Sequence, residues 1–403
     1  MAASVGVAAG GARLPRLLYI GDVSVADTVA GEALLYRLLQ FYPPDRLAVI
    51  CGVRPDMPRL PGVAYHHWGA GYPSLLHSRV AEEYVLWHAW RYYEVPPAIA
   101  HTATMFKPDA ILTISHVSAW LAAWQLSLAR GLPLHLIAHD DFVYASRFPR
   151  WSRAWAERKF GEAYRHAAGR LCISESMAES YRARFGAEGD VLYPTHKGTR
   201  DLSRVSPRLD RPGQTMTFAY GGSLNSAADI QQLVRLAQVI TSRQHVLVAY
   251  TPQHGLLADA AARAGVRIDA RPPIHSDLLL ERFRQEADCL VLPQSMAPED
   301  RAWVAAAFPT KWADYSTVGL PVLVWAPPGS SSDRFLAAHP GCAALVTGTD
   351  AAELEGAIAA LEADADYRRR LADTLLRAAR TVFSPQAAWQ HFCRTLTGSQ
   401  EAA

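Results

Sequence analysis

Lysine is scarce in this 403-residue chain and stands only at Lys107, Lys159, Lys197 and Lys311. Arginine carries nearly all the positive charge, and the formal net charge is only +2. No basic run is longer than Arg368-Arg369-Arg370, which reads as a solvated helix face. A nucleic-acid-binding surface is thereby excluded, because such surfaces show a basic stripe and a much higher isoelectric point. Cysteine is also sparse. Cys51, Cys172, Cys289, Cys342 and Cys393 lack metal or redox spacing, and several lie inside apolar runs. That excludes a disulfide framework and points to a reducing compartment. No apolar stretch reaches the roughly 18 residues that a spanning helix needs. Residues 1–15, rich in Ala, Gly and Val, read as a disordered leader and not as a signal peptide, since a positive start and a long apolar core are missing. The chain is expected in the cytoplasm, at most peripheral to the inner membrane. Gly-x-Ser-x-Gly, His-Glu-x-x-His, Walker and Gly-x-Gly-x-x-Gly motifs are absent, so hydrolase and metalloenzyme readings have no support.

What is present is alternation. A short apolar run, a polar or Gly-containing turn and a helical pattern recur along the chain, the mark of an α/β fold with parallel sheets. At 403 residues, two domains are the default. Strands are expected at 17–21, 47–51, 109–115, 134–139, 170–174 and 190–193. Helices are expected at 31–42 and from the Ser174 cap to Gly186. Residues 196–215 are rich in Arg, Ser, Pro, Asp and Gly and read as a linker. The pattern restarts with strands at 216–220, 245–250, 266–268, 289–293 and 321–325. Asp350 and Glu353 suggest a capping box, and the helical tail 367–396 breaks at Ser384-Pro385. The expected plan is two Rossmann-like domains, 16–195 and 216–384, facing a central cleft, with 385–403 as a terminal helix.

Open α/β sheets bind ligands beyond the carboxyl ends of their strands. Residues just after strands therefore weigh most. Gly221-Gly222-Ser223 follows the first strand of the second half and opens a helix, a place where backbone can approach a diphosphate. It reads equally as a tight turn without a ligand. Pro309-Thr310-Lys311-Trp312-Ala313-Asp314 begins a short helix that leads into Gly319-Leu320-Pro321-Val322. A cation at Lys311, in the first turn, opposes the helix dipole unless an anion binds there. Asp314, one turn on, has a carboxylate suited to two sugar hydroxyls, or the two residues form a plain surface ion pair. His139 ends a buried strand and suits a phosphate or sugar oxygen, or simply caps the strand. The neighbouring Asp140-Asp141 pair suits a metal poorly, because adjacent carboxylates diverge on extended chain. Gly31 closes a long loop from Gly21 that includes Thr28 and Val29. Glu82 to Tyr93 is dense in aromatics, as a core helix is, or a helix that docks a lipid-linked acceptor at a membrane.

Taken together these residues resemble glycosyltransferase family 4, retaining enzymes of GT-B architecture. The resemblance rests on Cys172-Ile173-Ser174-Glu175-Ser176-Met177 through Gly186 to Val191-Leu192-Tyr193-Pro194, on Leu136 to Asp140, on Ala287 to Pro293, and above all on Phe308 to Val324. It implies that Asp314 holds the donor ribose and that His139 lies by the donor sugar and phosphate. By the same resemblance Gly31 and the Gly221-Gly222-Ser223 loop surround the diphosphate, with Thr310 and Lys311 beside it. The implied reaction moves a sugar from a nucleotide-diphosphate sugar to a sugar, lipid-linked or small-molecule acceptor hydroxyl, with retention. The nucleotide sugar is a co-substrate, and neither a metal nor another cofactor is implied. Bacterial polysaccharide, glycolipid or glycoconjugate synthesis is the expected setting. Two positions depart from the family. Ala306 stands where it often has Glu, and Ser223-Leu224-Asn225-Ser226 replaces its usual Arg and Lys. These departures leave open an alternative, a catalytically inactive GT-B-like partner or regulator of a transferase.

Overall fold

The computed structural model describes residues 13–27, 30–52, 59–68, 75, 78–142, 148–210, 215–224 and 226–398. The leader up to residue 12, Thr28, Val29, Asn225 and residues 211–214 of the expected linker lie outside that set. So do residues 399–403 at the end of the expected terminal segment.

Strands form where unbroken apolar runs let both sheet faces be covered. In chain order they are β1 (Leu17–Gly21), β2 (Leu47–Cys51), β3 (Ala64–His67), β4 (Ala110–Ile114), β5 (Leu134–Ala138), β6 (Gly169–Cys172) and β7 (Asp190–Val191). They make one seven-stranded sheet of order β3-β2-β1-β4-β5-β6-β7, parallel throughout. Every residue of β1, β2, β4 and β5 is buried. The second set is β8 (Thr217–Gly221), β9 (Val246–Tyr250), β10 (Asp269–Arg271), β11 (Cys289–Pro293), β12 (Val322–Trp325) and β13 (Ala344–Val346). It makes a parallel six-stranded sheet of order β10-β9-β8-β11-β12-β13. Helices alternate with the strands in both sets. Both halves are thus α/β units of Rossmann type. In each the order reverses next to the first strand, between β1 and β4 and between β8 and β11. That places the ligand-binding position of an open sheet at the carboxyl ends of those strands.

The chain divides into two units, Met1–Tyr193 with Pro385–Ala403, and Pro194–Ser384. In the first unit Trp120, Phe142 and Phe160 pack as an aromatic core, with Phe142 stacked on Phe160 at 4.6 Å. Helix Pro385–Thr397 belongs here, and Trp389 lies 5.9 Å from Phe41 and 5.8 Å from Tyr42 between ring centroids. The core of the second unit gathers Phe218, Leu233, Leu247, Leu354 and Ile358. The segment that follows Pro194 is anchored to this unit. Arg208 Nε lies 2.9 Å from Asp288 Oδ1, and Ser206 N donates to Gly319 O at 2.8 Å.

Local signals explain the element ends. Ser174 caps helix Glu175–Phe185 by accepting from Met177 N at 3.2 Å, and Gly186 closes it at φ 71°. Three readings need correction. Val266 and Ile268 pack on the core as loop residues, and the strand forms beyond them at Asp269–Arg271. β3 (Ala-Tyr-His-His) carries too little apolar pattern to be foreseen, and β13 (Ala-Leu-Val), though apolar, is only three residues long. At Asp350 the box is incomplete: Asp350 Oδ1 accepts from Ala352 N at 3.0 Å, but Glu353 Oε2 accepts from Gly348 N at 3.1 Å. A complete capping box stands instead at Ser226 and Asp229, opening helix Ala227–Ser242.

Candidate functional site

In the second unit β8 delivers the chain into Gly221-Gly222-Ser223. Gly221 N donates to Tyr315 Oη at 2.9 Å, and Gly222 N donates to Tyr250 O at 2.9 Å. Tyr220 Oη donates to Ser223 O at 2.8 Å, and Leu224 N donates to Gln253 Oε1 at 3.0 Å. The loop is therefore held from three sides. A side chain at Gly221 would meet Leu279 Cδ2 at 2.7 Å, so packing alone accounts for that glycine. Gly222 is different. Its φ is 131°, a region that disfavours other residues, and a Cβ would stand 2.5 Å from Lys311 Cε.

Helix Lys311–Tyr315 thus meets the glycine loop directly, Tyr315 by hydrogen bond and Lys311 by contact. Thr310 is the residue before this helix, and its side chain makes no capping bond. Lys311 Nζ lies 5.2 Å from the centre of the Tyr220 ring. Burial pushes the Lys311 pKa below the ordinary lysine value, and the Asp229 charge opposes that shift without cancelling it. Asp314 sits at the fourth position of the helix.

The glycine loop does not itself start a helix, which corrects the sequence reading. Helix Ala227–Ser242 begins four residues after Ser223 behind its own cap, with the Asp229 carboxylate at its positive end. Lys311 is therefore the group in this loop region best suited to an anion.

In the first unit His139 follows β5. Its Nδ1 lies 3.2 Å from Asp140 Oδ2, and its Cε1 would be 3.9 Å from a Cβ placed on Gly31. Gly31, in the first turn of helix Ala30–Leu39, and His139 are thus brought together. Burial alone would raise the Asp140 pKa, but the adjacent His139 charge and hydrogen bond and the His116 charge hold it below the usual aspartate value. Asp141 points elsewhere, to Arg184 Nη1 at 2.8 Å. The two carboxylates diverge, and no group of three or more His, Cys, Asp or Glu side chains among the described residues is placed to hold a metal.

Three residues here escaped the sequence reading. Asp22 follows β1, and its Oδ2 accepts from Ser118 N at 2.8 Å and Ala119 N at 2.6 Å. His88 Nδ1 lies 3.1 Å from Ser118 Oγ, and its Nε2 lies 3.2 Å from Tyr92 Oη. His116 follows β4, and burial pushes its pKa down. Asp22 and His116 satisfy the same strand-end rule that picked out His139. In the second unit Tyr220 and Tyr315 fall inside the segments singled out from the sequence but were given no role there, and Gln253 was missed.

Helix Ala81–Arg91 has a core face and an exposed aromatic face. Tyr84, Val85, His88 and Ala89 are buried, while Trp87 and Trp90 are 43% and 75% exposed. Trp87, Trp90 and Trp151 line a groove of about 790 Å³ that also takes in Glu82, Glu83 and Arg150. No helix among the described residues is long and apolar enough to cross a membrane.

Two parallel Rossmann-like units, each with polar residues at the carboxyl ends of its strands, define the GT-B class of fold. Solved structures agree. HepE of Anabaena, in complex with UDP-glucose, has a TM-score of 0.63 at 14% identity, over 95% of this chain and 100% of that one. Sucrose-phosphate synthase from Thermosynechococcus elongatus has a TM-score of 0.61 at 14% identity, over 95% and 98%. A UDP-forming α,α-trehalose-phosphate synthase from Burkholderia vietnamiensis has a TM-score of 0.63 at 12% identity, over 95% and 100%. No curated protein matches the sequence. Residues 42–195 match the family model described as a glycosyl transferase 4-like domain, a match to the family that the motifs resemble.

Proposed function

We propose that this protein is a glycosyltransferase that moves a sugar from a nucleotide-diphosphate sugar to an acceptor hydroxyl with retention. The observation that carries the reading is Lys311, a poorly solvated cation laid against Gly222 at the end of β8. In this reading Lys311 and the Gly221-Gly222-Ser223 loop take the donor diphosphate, with Thr310 beside them, and Asp314 takes the ribose hydroxyls. Charge that develops on the departing diphosphate falls on Lys311, where low solvation strengthens the interaction. On the first unit, His139 and Gly31 lie together and are a second candidate site, the one that the family resemblance assigns to the sugar. The glycosyl transferase 4-like domain supports this assignment, and UDP or UDP-glucose in the complexes of HepE makes a uridine donor the first to try. For a lipid-linked acceptor, the exposed Trp87, Trp90 and Trp151 offer a side that would rest on a membrane.

Incubation with UDP-, GDP- and dTDP-sugars, followed by NMR of the released or transferred sugar, tests the reading. Slow donor hydrolysis or transfer is expected, with the donor's anomeric configuration kept in the first-formed product. Inversion would refute retention. Nucleotide binding without turnover of any donor would favour the non-catalytic alternative.

A further inference from the structure

Helix Ala81–Arg91 carries two stripes. Tyr84, Val85, His88 and Ala89 are buried in the core. Glu83, Leu86, Trp87 and Trp90 recur at i, i+3, i+4 and i+7 and form a second stripe, which walls one side of the groove described above. Arg150 and Trp151, in the short helical turn Arg150–Ser152, wall the other side, and Trp151 is 77% exposed. Arg91 lies over the Trp87 ring at 5.4 Å from its centre and holds that ring in place. Large aromatic rings kept in water on both walls of one groove mark a binding surface, because covering them is favourable.

A lipid surface and a soluble ligand compete for these rings, and the shape and charge of the groove decide between them. At about 790 Å³ the groove has the size of a small-ligand site, about 300–1,000 Å³. A broad, flat lipid surface meets the rim of such a groove and not its floor. A helix that lies on a membrane also sets Lys and Arg on its polar face, to meet anionic lipid. Here two acids, Glu82 and Glu83, stand against one base, Arg150. All three are exposed, and their charged heads make no hydrogen bond or ion pair among the described residues. The carboxylates are left to accept from hydroxyl groups and the guanidinium to donate to them. A pyranose ring meets both demands. Its C–H faces carry the slight positive charge that the negative face of an indole attracts, and its hydroxyls project from the ring edge.

We propose that this groove binds a neutral glycan, with Trp90 and Trp151 stacking on pyranose faces and Glu82, Glu83 and Arg150 bonding the hydroxyls. The first unit alone carries the site. His88, on the buried stripe, meets Ser118 beyond β4 at 3.1 Å, so the groove lies on the other side of this helix from the strand-end residues. The proposal stands apart from the transferase reading, because no nucleotide takes part in it.

Tryptophan fluorescence and isothermal titration of the full chain with maltohexaose, cellohexaose and chitohexaose, in the absence of any nucleotide, test it. At least one of the three is expected to bind and to change the fluorescence. Trp90→Ala and Trp151→Ala should each weaken that binding about tenfold and leave the Tm unchanged, since both rings are largely exposed. Arg150→Ala keeps all the rings and carries the test if a tryptophan variant does not fold; it too should weaken binding. No binding by any of the three hexasaccharides, or binding that the variants keep in full, would overturn the proposal. So would capture of the protein by phosphatidylglycerol vesicles that the tryptophan variants abolish, which would make the groove a membrane face.

Discussion

Replacing Lys311 by Met should leave the unliganded protein as stable as before, or more stable, while it removes about half or more of the stabilisation by a nucleotide diphosphate. The reasoning starts from solvation. Burial lowers the Lys311 pKa and Asp229 only partly restores it, so the folded chain holds this charge less readily than the unfolded chain does. The Tyr220 face, 5.2 Å away, returns about 0.5–2 kcal/mol at best. The methionine stem keeps the packing against Gly222. The sign in pH follows from a depressed folded-state pKa. Between that pKa and the ordinary lysine value the unfolded chain binds more protons, so wild-type stability rises with pH through this window relative to the variant. Binding runs the other way. A hydrogen bond from a cation to a phosphate oxygen is worth about 1.5–3 kcal/mol, a tenfold to hundredfold change in Kd. At a ligand concentration of about 100 Kd, wild type gains about 2.7 kcal/mol. A tenfold weaker variant at the same concentration gains about 1.4 kcal/mol, and a hundredfold weaker one about 0.4 kcal/mol. Thermal melts of both proteins with and without the nucleotide diphosphate measure each quantity. A variant that melts well below wild type yet keeps the full ligand shift would show Lys311 to be a structural cation and refute the reasoning.

Two further predictions concern the first unit. Gly31→Ala should fold, because a Cβ would meet only Val23 Cγ1 at 3.6 Å and His139 Cε1 at 3.9 Å, and the helix should gain up to about 1 kcal/mol. Donor turnover should nonetheless fall if the donor approaches the backbone there, so a raised Tm with full activity would exclude Gly31 from the site. His135 is buried with neither ring nitrogen paired among the described residues, and burial pushes its pKa down to about 4. The folded state keeps it neutral, so stability should fall as pH drops from about 6.5, the unfolded value, through about 4, by about 3 kcal/mol in all. Urea midpoints at pH 7 and pH 4.5 check this, and His135→Leu should flatten the difference; an equal acid loss in the variant would assign it to other groups.

Much of the fold was legible because parallel strands buried on both faces leave unbroken apolar runs. Leu17–Gly21, Leu47–Cys51 and Cys289–Pro293 were read with their observed ends. β3 was not, since its sequence Ala-Tyr-His-His lies on a largely exposed sheet edge with no apolar period. Val266 and Ile268 misled because they pack on the core without pairing. Lys311 and His139 stood out from the sequence, one as a rare lysine at a helix start and the other at a strand end. Asp22 and His116 did not, although each follows a strand. Their meeting depends on the sheet order that sets β1 (Leu17–Gly21) beside β4 (Ala110–Ile114), strands far apart along the chain. Tyr315 lay within the Phe308 to Val324 segment, but its contact with Gly221 was not legible, since that bond spans 94 residues.

The central claim is that this chain binds a nucleotide-diphosphate sugar through its diphosphate. Titrating the protein with UDP, GDP and dTDP, and with the monophosphate of whichever binds, tests it most directly. The account predicts that one diphosphate binds and raises the Tm, and that its monophosphate binds at least tenfold more weakly because Lys311 loses its partner. Equal affinity for monophosphate and diphosphate, or no binding by any of the three, would contradict it.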